Sequence, residues 1–259
     1  TEDENVSVTI ISRDMELSGV GSVVITEEGK PIGIITDRDI ATKVIMRDRI
    51  PGEVKAKEVM SSPLITIRSD APVEETCRLM AKHDIRRLPV MDNGTLVGII
   101  SVRNILRRAP EQVHKFYPAE SEERVSAEIL EVGDVMTRRV VTEDEEASLT
   151  KISAEMKEWG IGSVVITKDG KPTGIVTDGD IALKGIMREA REIKAKEIMS
   201  SPLITIEPGA LLEKACKILA ANHIRRLPVM DNGALVGILS VRNILMRAPG
   251  YVKKFYPEE

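Results

Sequence analysis

The sequence predicts an α+β protein of four like units in two pairs, and three observations carry that prediction. First, GSVVITEEGKPIGIITDRDIA, beginning at Gly21, returns as GSVVITKDGKPTGIVTDGDIA at Gly162. Second, IRRLPVMDNGTLVGIISVRNIL, beginning at Ile85, returns as IRRLPVMDNGALVGILSVRNIL at Ile224. Third, one pattern recurs twice inside each half: an apolar strand, a turn, a second strand, a Thr or Ser, then a helix. Asp39 lies 141 residues before Asp180, but Arg86 lies 139 before Arg225, so a two-residue deletion separates the copies. The halves are roughly two-thirds identical, which marks a duplication.

The elements follow in order from local patterning. Val23–Thr26 and Ile32–Ile35 read as a hairpin across Glu-Glu-Gly-Lys-Pro, and Leu88–Met91 with Leu96–Ile100 as another across Asp92-Asn93-Gly94. Apolar or small residues at Val73, Thr76, Cys77, Met80 and Ala81 give the 3–4 spacing of a helix over Val73–Lys82. A short strand, Leu64–Ile67 in the second unit, opens the pattern. The expected boundaries are 1–50 for the first unit and 54–118 for the second, with 119–127 as linker. The third is expected over 128–192 and the fourth over 193–259. The lead-in Val132–Val141 has no counterpart ahead of Thr1, so the first unit is expected to lack its opening strand.

Composition narrows the class. Hydrophobic residues make up 42% and charged residues 30%, a balance that supports packed cores rather than disorder. No apolar run reaches the roughly 20 residues of a membrane helix, and two cysteines without a disulfide framework fit a reducing cytoplasm, the expected location. Cys77 and Cys216 stand on matched helix faces as core residues, outside any metal-ligand or redox spacing. The net charge of −4 argues against a nucleic-acid coat. Gln112 is the only glutamine among many Glu, Lys, Ile and Val, which suits a thermophile. His83, His114 and His223 do not cluster, and no triad or P-loop spacing occurs, so an enzyme is not expected.

Glu58-Val-Met60 with Pro63, Arg87-Leu-Pro-Val90 and Gly33-Ile-Ile-Thr-Asp-Arg-Asp39, recurring fourfold, resemble cystathionine-β-synthase (CBS) domains. The likeness covers nearly the whole chain. It is similar to stand-alone archaeal and thermophile CBS proteins and to the gamma subunit of AMP-activated protein kinase. The resemblance implies β-α-β-β-α units, set as two CBS pairs in a flat, pseudo-symmetric disc. It implies no catalytic cofactor, and a ligand among AMP, ADP, ATP and S-adenosylmethionine.

A nucleotide needs an acceptor for ribose hydroxyls, cations for phosphate and a flat slot for the base. Asp39 and Asp180, three residues after Thr36 and Thr177 at a strand-to-helix junction, are the ribose candidates. The family motif Gly-x-x-Thr/Ser-x-x-Asp adds Gly33 and Gly174 and assigns it that role. Arg86, Arg87 and Arg103, repeated as Arg225, Arg226 and Arg242, are the phosphate candidates, because guanidinium keeps its charge when partly desolvated. Family members place these positions at phosphates. The base slot is expected near Met60–Ile65 and Met199–Ile204, with Val20–Val23 and Ile161–Val164 beside it. Asn104 and Asn243 replace the aspartate in the second and fourth units, and Gly179 replaces Arg38 in the third. Two good sites of unequal affinity follow. At about −0.3 kcal/mol for each of about 23 heavy atoms, AMP would bind near −7 kcal/mol, roughly 10 µM.

Each of these residues also has a plainer use. Asp39 could cap the next helix, and the arginine pairs could be solvated. Five of the six aromatics, Phe116, Tyr117, Tyr251, Phe255 and Tyr256, lie in tails that close the halves; Trp159 is the sixth. They read as a latch, or as a docking element with Lys43–Arg49 and Lys184–Lys196. The competing function is therefore a factor docking on a protein or ribonucleoprotein, the ribosome included, without a membrane and with a homodimer left open.

Overall fold

The computed structural model describes residues 1–109, 112, 129–186, 193–248 and 250–251. The hairpins stand where alternating valine and isoleucine place them. In repeat 1, β2 (Ser22–Glu27) runs antiparallel to β3 (Lys30–Thr36), with Val23 opposite Ile35. The Glu28-Gly29 turn takes positive φ at both residues, which lets the strands keep their right-handed twist. Repeat 2 carries β5 (Arg87–Asp92) and β6 (Thr95–Ser101); repeat 3 carries β8 (Ser163–Lys168) and β9 (Lys171–Thr177). Repeat 4 carries β10 (Arg226–Asp231) and β11 (Ala234–Ser240). A one-residue register shift interrupts every hairpin, at Ile25/Thr26 and its three counterparts.

A short parallel strand completes three of the sheets: β1 (Glu2–Asp3), β4 (Ile67–Arg68) and β7 (Thr142–Asp144). In repeat 4 it shrinks to a bridge between Ile206 and Val229. The expectation that repeat 1 lacks its opening strand is therefore corrected: two residues at the extreme start suffice to pair with Ile25 and Thr26. The strand expected at Leu64–Ile67 begins only at Ile67.

One amphipathic helix precedes each hairpin: α1 (Val8–Leu17), α4 (Val73–Lys82), α7 (Leu149–Glu158) and α10 (Leu212–Ala221). A second follows it: α2 (Asp37–Lys43), α5 (Val102–Arg108), α8 (Asp178–Asp180) and α11 (Val241–Arg247). In repeat 3, α8 passes into a π-turn over Ile181–Gly185. Gly185 stands where repeat 1 has Val44, and a Cβ there would lie 2.9 Å from Leu149 Cδ1.

Packing does not follow the order of the repeats. The chain divides into two lobes, Thr1–Ile65 with Val141–Leu203, and Thr66–Val140 with Ile204–Glu259. Each lobe thus holds the bodies of two repeats together with lead-in segments that the sequence assigns to other repeats. The lead-in of repeat 2, with α3 (Ala56–Val59), buries Val54, Ala56 and Val59 against Val8, Ile11 and Ile35 of repeat 1. The lead-in of repeat 4, with α9 (Ala195–Ile198), joins Leu149, Ile152 and Val164 of repeat 3. The lead-in of repeat 3, with α6 (Val132–Val135), joins Leu212, Cys216 and Leu239 of repeat 4. Tyr251 closes that core and accepts a bond from Leu130 N at 3.0 Å. The other tail aromatics and the 119–127 linker lie outside the described residues.

In the first lobe the helices of repeats 1 and 3 meet, with Ala182 and Ile186 entering the core of repeat 1. Buried Ser12 donates to the Ala182 carbonyl, whereas its counterpart Ser153 finds no partner among the described residues. Ser12→Ala is expected to lower stability by about 1 kcal/mol, and Ser153→Ala to leave it unchanged or raise it, because an unpaired buried hydroxyl has already lost its water. Denaturant midpoints of the two variants measure the difference.

Candidate functional site

The candidate site grows from the end of β3. Thr36 is the N-cap of α2: its hydroxyl accepts from Asp39 N, and Asp39 answers as the third residue of a capping box. Asp39 Oδ2 accepts from Thr36 N at 2.9 Å and from Thr36 Oγ1 at 2.6 Å. Asp39 Oδ1 points the other way, toward Lys43 Nζ at 2.7 Å and Ser61 Oγ at 3.0 Å. Lys43 is held over this oxygen by a second bond to the Val59 carbonyl, 2.7 Å away.

Repeat 3 builds the same group. Asp180 Oδ2 takes Thr177 N at 3.0 Å and Thr177 Oγ1 at 2.6 Å. Its Oδ1 takes Lys184 Nζ at 2.6 Å and Ser200 Oγ at 3.1 Å, and Lys184 also reaches the Ile198 carbonyl at 3.0 Å. Both aspartates are 8% exposed, so a carboxylate edge is reachable while its other oxygen is committed to the backbone.

Gly33 and Gly174 form the floor of this arrangement. A Cβ at Gly33 would lie 2.5 Å from Met60 Sδ, and one at Gly174 would lie 2.4 Å from Met199 Sδ. The bare backbone therefore admits the lead-in methionine. The next residue, Ser61 or Ser200, then pairs with Ile34 or Ile175 and reaches the aspartate.

The structure thus gathers Gly33, Thr36 and Asp39 in one place, and Gly174, Thr177 and Asp180 in another, both in the first lobe. Met60 and Met199, named from sequence for the base slot, border them. The arginines belong to the second lobe. Arg86 and Arg225 are exposed just ahead of β5 and β10; Arg87 and Arg226 open those strands half-buried. Arg103 and Arg242 are exposed in the first turn of α5 and α11. Residue-type reasoning missed Lys43, Lys184, Ser61 and Ser200. A signal for the lysines was present: a cation stands four residues after each Asp or Asn, as Lys43, Arg108, Lys184 and Arg247.

Repeats 2 and 4 show what capping alone requires. Asn104 Oδ1 takes both Ser101 N at 2.9 Å and Ser101 Oγ at 2.5 Å, and Asn243 Oδ1 does the same with Ser240 at 2.9 and 2.6 Å. The amide caps as well as the carboxylate does. Arg247 Nη1 binds the Val135 and Met136 carbonyls at 3.0 and 2.8 Å, so the cation also has its place without a carboxylate. The negative charge of Asp39 and Asp180 is surplus to capping. Among the described residues no group of His, Cys, Asp or Glu could hold a metal ion, and no helix is long and apolar enough to cross a membrane.

Comparison with known proteins agrees with this architecture. The CBS domain family model matches residues 3–45, 56–111, 132–184 and 195–250. Protein MK0525 of Methanopyrus kandleri is 46% identical over 102 residues, covering 39% of this chain and 52% of that protein. A 33.4 kDa protein from a ribosomal RNA operon of Thermofilum pendens is 28% identical over 174 residues, covering 63% of this chain and 53% of that protein. The chain thus spans about half the length of these curated relatives. The crystal structure of Methanocaldococcus jannaschii MJ1225, described as a candidate archaeal homologue of g-AMPK, has the same fold. It superposes with a TM-score of 0.71 at 21% identity, covering 95% of this chain and 94% of that one.

Proposed function

The chain belongs to the CBS domain family, and from that premise we propose that it is a regulatory, non-catalytic protein that binds an adenine compound through Asp39 and Asp180. The candidates are AMP, ADP, ATP and S-adenosylmethionine. The observation that carries the reading is the surplus charge: only repeats 1 and 3 set a carboxylate where an amide would cap equally well. A vicinal diol can donate both hydroxyls to one carboxylate, a charge-assisted pair stronger than a neutral amide offers. Lys43 and Lys184 bond to that oxygen, so a diol binds by displacing an ammonium that keeps its carbonyl partner.

Calorimetric titration with AMP, ADP, ATP, S-adenosylmethionine and adenosine tests the proposal. Binding at roughly micromolar strength to any of them is expected; no heat from any at millimolar concentration overturns it. The six arginines are the proposed phosphate contacts. Affinity that rises from adenosine to AMP, and loses that rise in Arg86→Ala with Arg225→Ala, supports them. The docking alternative rests on Phe116, Tyr117, Phe255 and Tyr256, which lie outside the described residues. Ribosome or RNA capture by a chain that binds no adenine compound would favour it.

A further inference from the structure

The two aspartate groups of the first lobe are built alike. Four bonds to Asp39 and their counterparts at Asp180 measure 2.9 and 3.0, 2.6 and 2.6, 2.7 and 2.6, and 3.0 and 3.1 Å. The segments that supply and border them are nearly the same too. Residues 19–24 differ from 160–165 by Val20/Ile161, and the lead-ins 55–63 and 194–202 differ by Val59/Ile198. Residues 33–43 differ from 174–184 by Ile35/Val176, Arg38/Gly179 and Thr42/Leu183. Of these exchanges only Arg38/Gly179 changes a charge. Residues 33–43 carry two aspartates, an arginine and a lysine, hence no net charge; residues 174–184 carry two aspartates and a lysine, one net negative. The six arginines of the second lobe do not make this difference, since they recur as matched pairs in the two halves.

Packing does not ask for a glycine at 179. Gly174 and Gly185 have steric reasons, since a Cβ would stand 2.4 Å from Met199 Sδ at the one and 2.9 Å from Leu149 Cδ1 at the other. A Cβ at Gly179 would lie 3.6 Å from Thr177 Oγ1, an ordinary contact, and the backbone there is helical. Repeat 1 carries an arginine at this place on the same capping box. Glycine weakens a helix relative to arginine, so what the exchange alters to effect is the field at the carboxylate. Arg38 is exposed and adjoins Asp39 in the chain. Consecutive Cα atoms stand about 3.8 Å apart, so its guanidinium stays within roughly one Debye length, about 8–10 Å, of a group held on Asp39.

We propose that the two sites sort adenine compounds by the charge at the 5′ carbon, and that Arg38 is the residue that sets the difference. The Asp39 site takes 5′-phosphorylated compounds. The Asp180 site takes those without an anion there, an uncharged adenosyl compound or the sulfonium of S-adenosylmethionine. The inference rests on the reading that these carboxylates hold the ribose diol. Arg38 acts from the rim through its field and needs no direct contact. An exposed unit charge pair is worth up to about fivefold in affinity, and a phosphate, with roughly 1.5 to 2 negative charges, gains more than a single charge does.

The full chain is titrated with adenosine, AMP and S-adenosylmethionine, one site at a time: Asp180→Asn leaves the Asp39 site, and Asp39→Asn leaves the Asp180 site. The ratio of AMP to adenosine affinity is expected to be about fivefold or more higher at the Asp39 site. The ratio of S-adenosylmethionine to adenosine affinity should run the opposite way. Gly179→Arg, added to the Asp39→Asn chain, should raise the AMP ratio to that of the other site without lowering the melting temperature. Arg38→Gln, added to the Asp180→Asn chain, should erase the preference, and Arg38→Lys should keep it. The gap should narrow as salt rises. Equal ratios at the two sites overturn the proposal, as does a difference that Gly179→Arg and Arg38→Gln leave in place. Adenosine binding that neither asparagine variant weakens is a separate result: it removes the ribose reading itself, and the proposal falls with it.

Discussion

Asp39→Asn together with Asp180→Asn is expected to weaken binding of the adenine ligand by about 30-fold or more at each site while leaving the fold in place. The binding loss follows from exchanging charge-assisted hydrogen bonds, each worth about 1.5–3 kcal/mol, for neutral ones. The retained fold follows from the protein's own internal control. Asn104 and Asn243 already hold the same capping geometry, so the Thr36 and Thr177 bonds survive the exchange. What stability is lost comes from the Lys43 and Lys184 pairs, whose lysine side chains are 33 and 45% exposed, so the cost is about 1 kcal/mol or less for each. Alanine at the same positions behaves differently. It removes the acceptor for a backbone amide and a lysine together and costs about 1–3 kcal/mol at each site. Calorimetry and thermal melts on the two pairs of variants separate the effects. If the asparagine pair binds as the parent does, these carboxylates do not hold the sugar.

Gly174→Val is expected to be among the most destabilising single changes in the first lobe. The new Cβ would stand 2.4 Å from Met199 Sδ, 2.8 Å from its Cγ and 3.2 Å from its Cβ, so the whole side chain must leave rather than rotate. Overpacking of this kind costs about 1–3 kcal/mol, occasionally more. At about 2–4 °C per kcal/mol for a chain of this size, the melting temperature should fall by several degrees. Ligand binding should fall with it, because Ser200 follows Met199 and cannot keep its 3.1 Å bond to Asp180 once the lead-in lifts. A double-mutant cycle supplies the check: Gly174→Ala with Met199→Ala should cost less than the sum of the two. Simple additivity would mean that the methionine is not what the glycine accommodates.

These two changes mark how far the sequence could be read. The hairpins and α4 follow from period-two and 3–4 patterning that tertiary packing does not oppose, and α4 spans Val73–Lys82 as its apolar spacing requires. The local bonding of Thr36, Asp39, Thr177 and Asp180 was legible as well, since a recurring Thr-x-x-Asp at a strand end is a capping pattern. Lys43 carried only the four-residue spacing from Asp39 as a signal, and Ser61 carried none, because it comes from a segment that folds back from 22 residues beyond Asp39. The same fold-back parts the order of the sequence repeats from the order of packing. Residues 54–65 look like the start of repeat 2 and pack as part of repeat 1. β1 was missed because a two-residue strand carries no periodic signal; only its neighbour β2 makes it a strand.

The exchanged lead-ins also bear on how a gene of this kind can grow. Repeats 3 and 4 each complete the other's core, so a copying event that moved one alone would separate a core from the segment that seals it. A copying event that takes both leaves every core intact. Heredity therefore has a smallest workable parcel here, and it is the pair. That accounts for the pattern of likeness along the chain: halves still nearly the same, and neighbours within a half far apart. In such a lineage, new family members are expected to arise with repeats added in twos, and sequence drift between partners is free to run wherever the shared seals are kept.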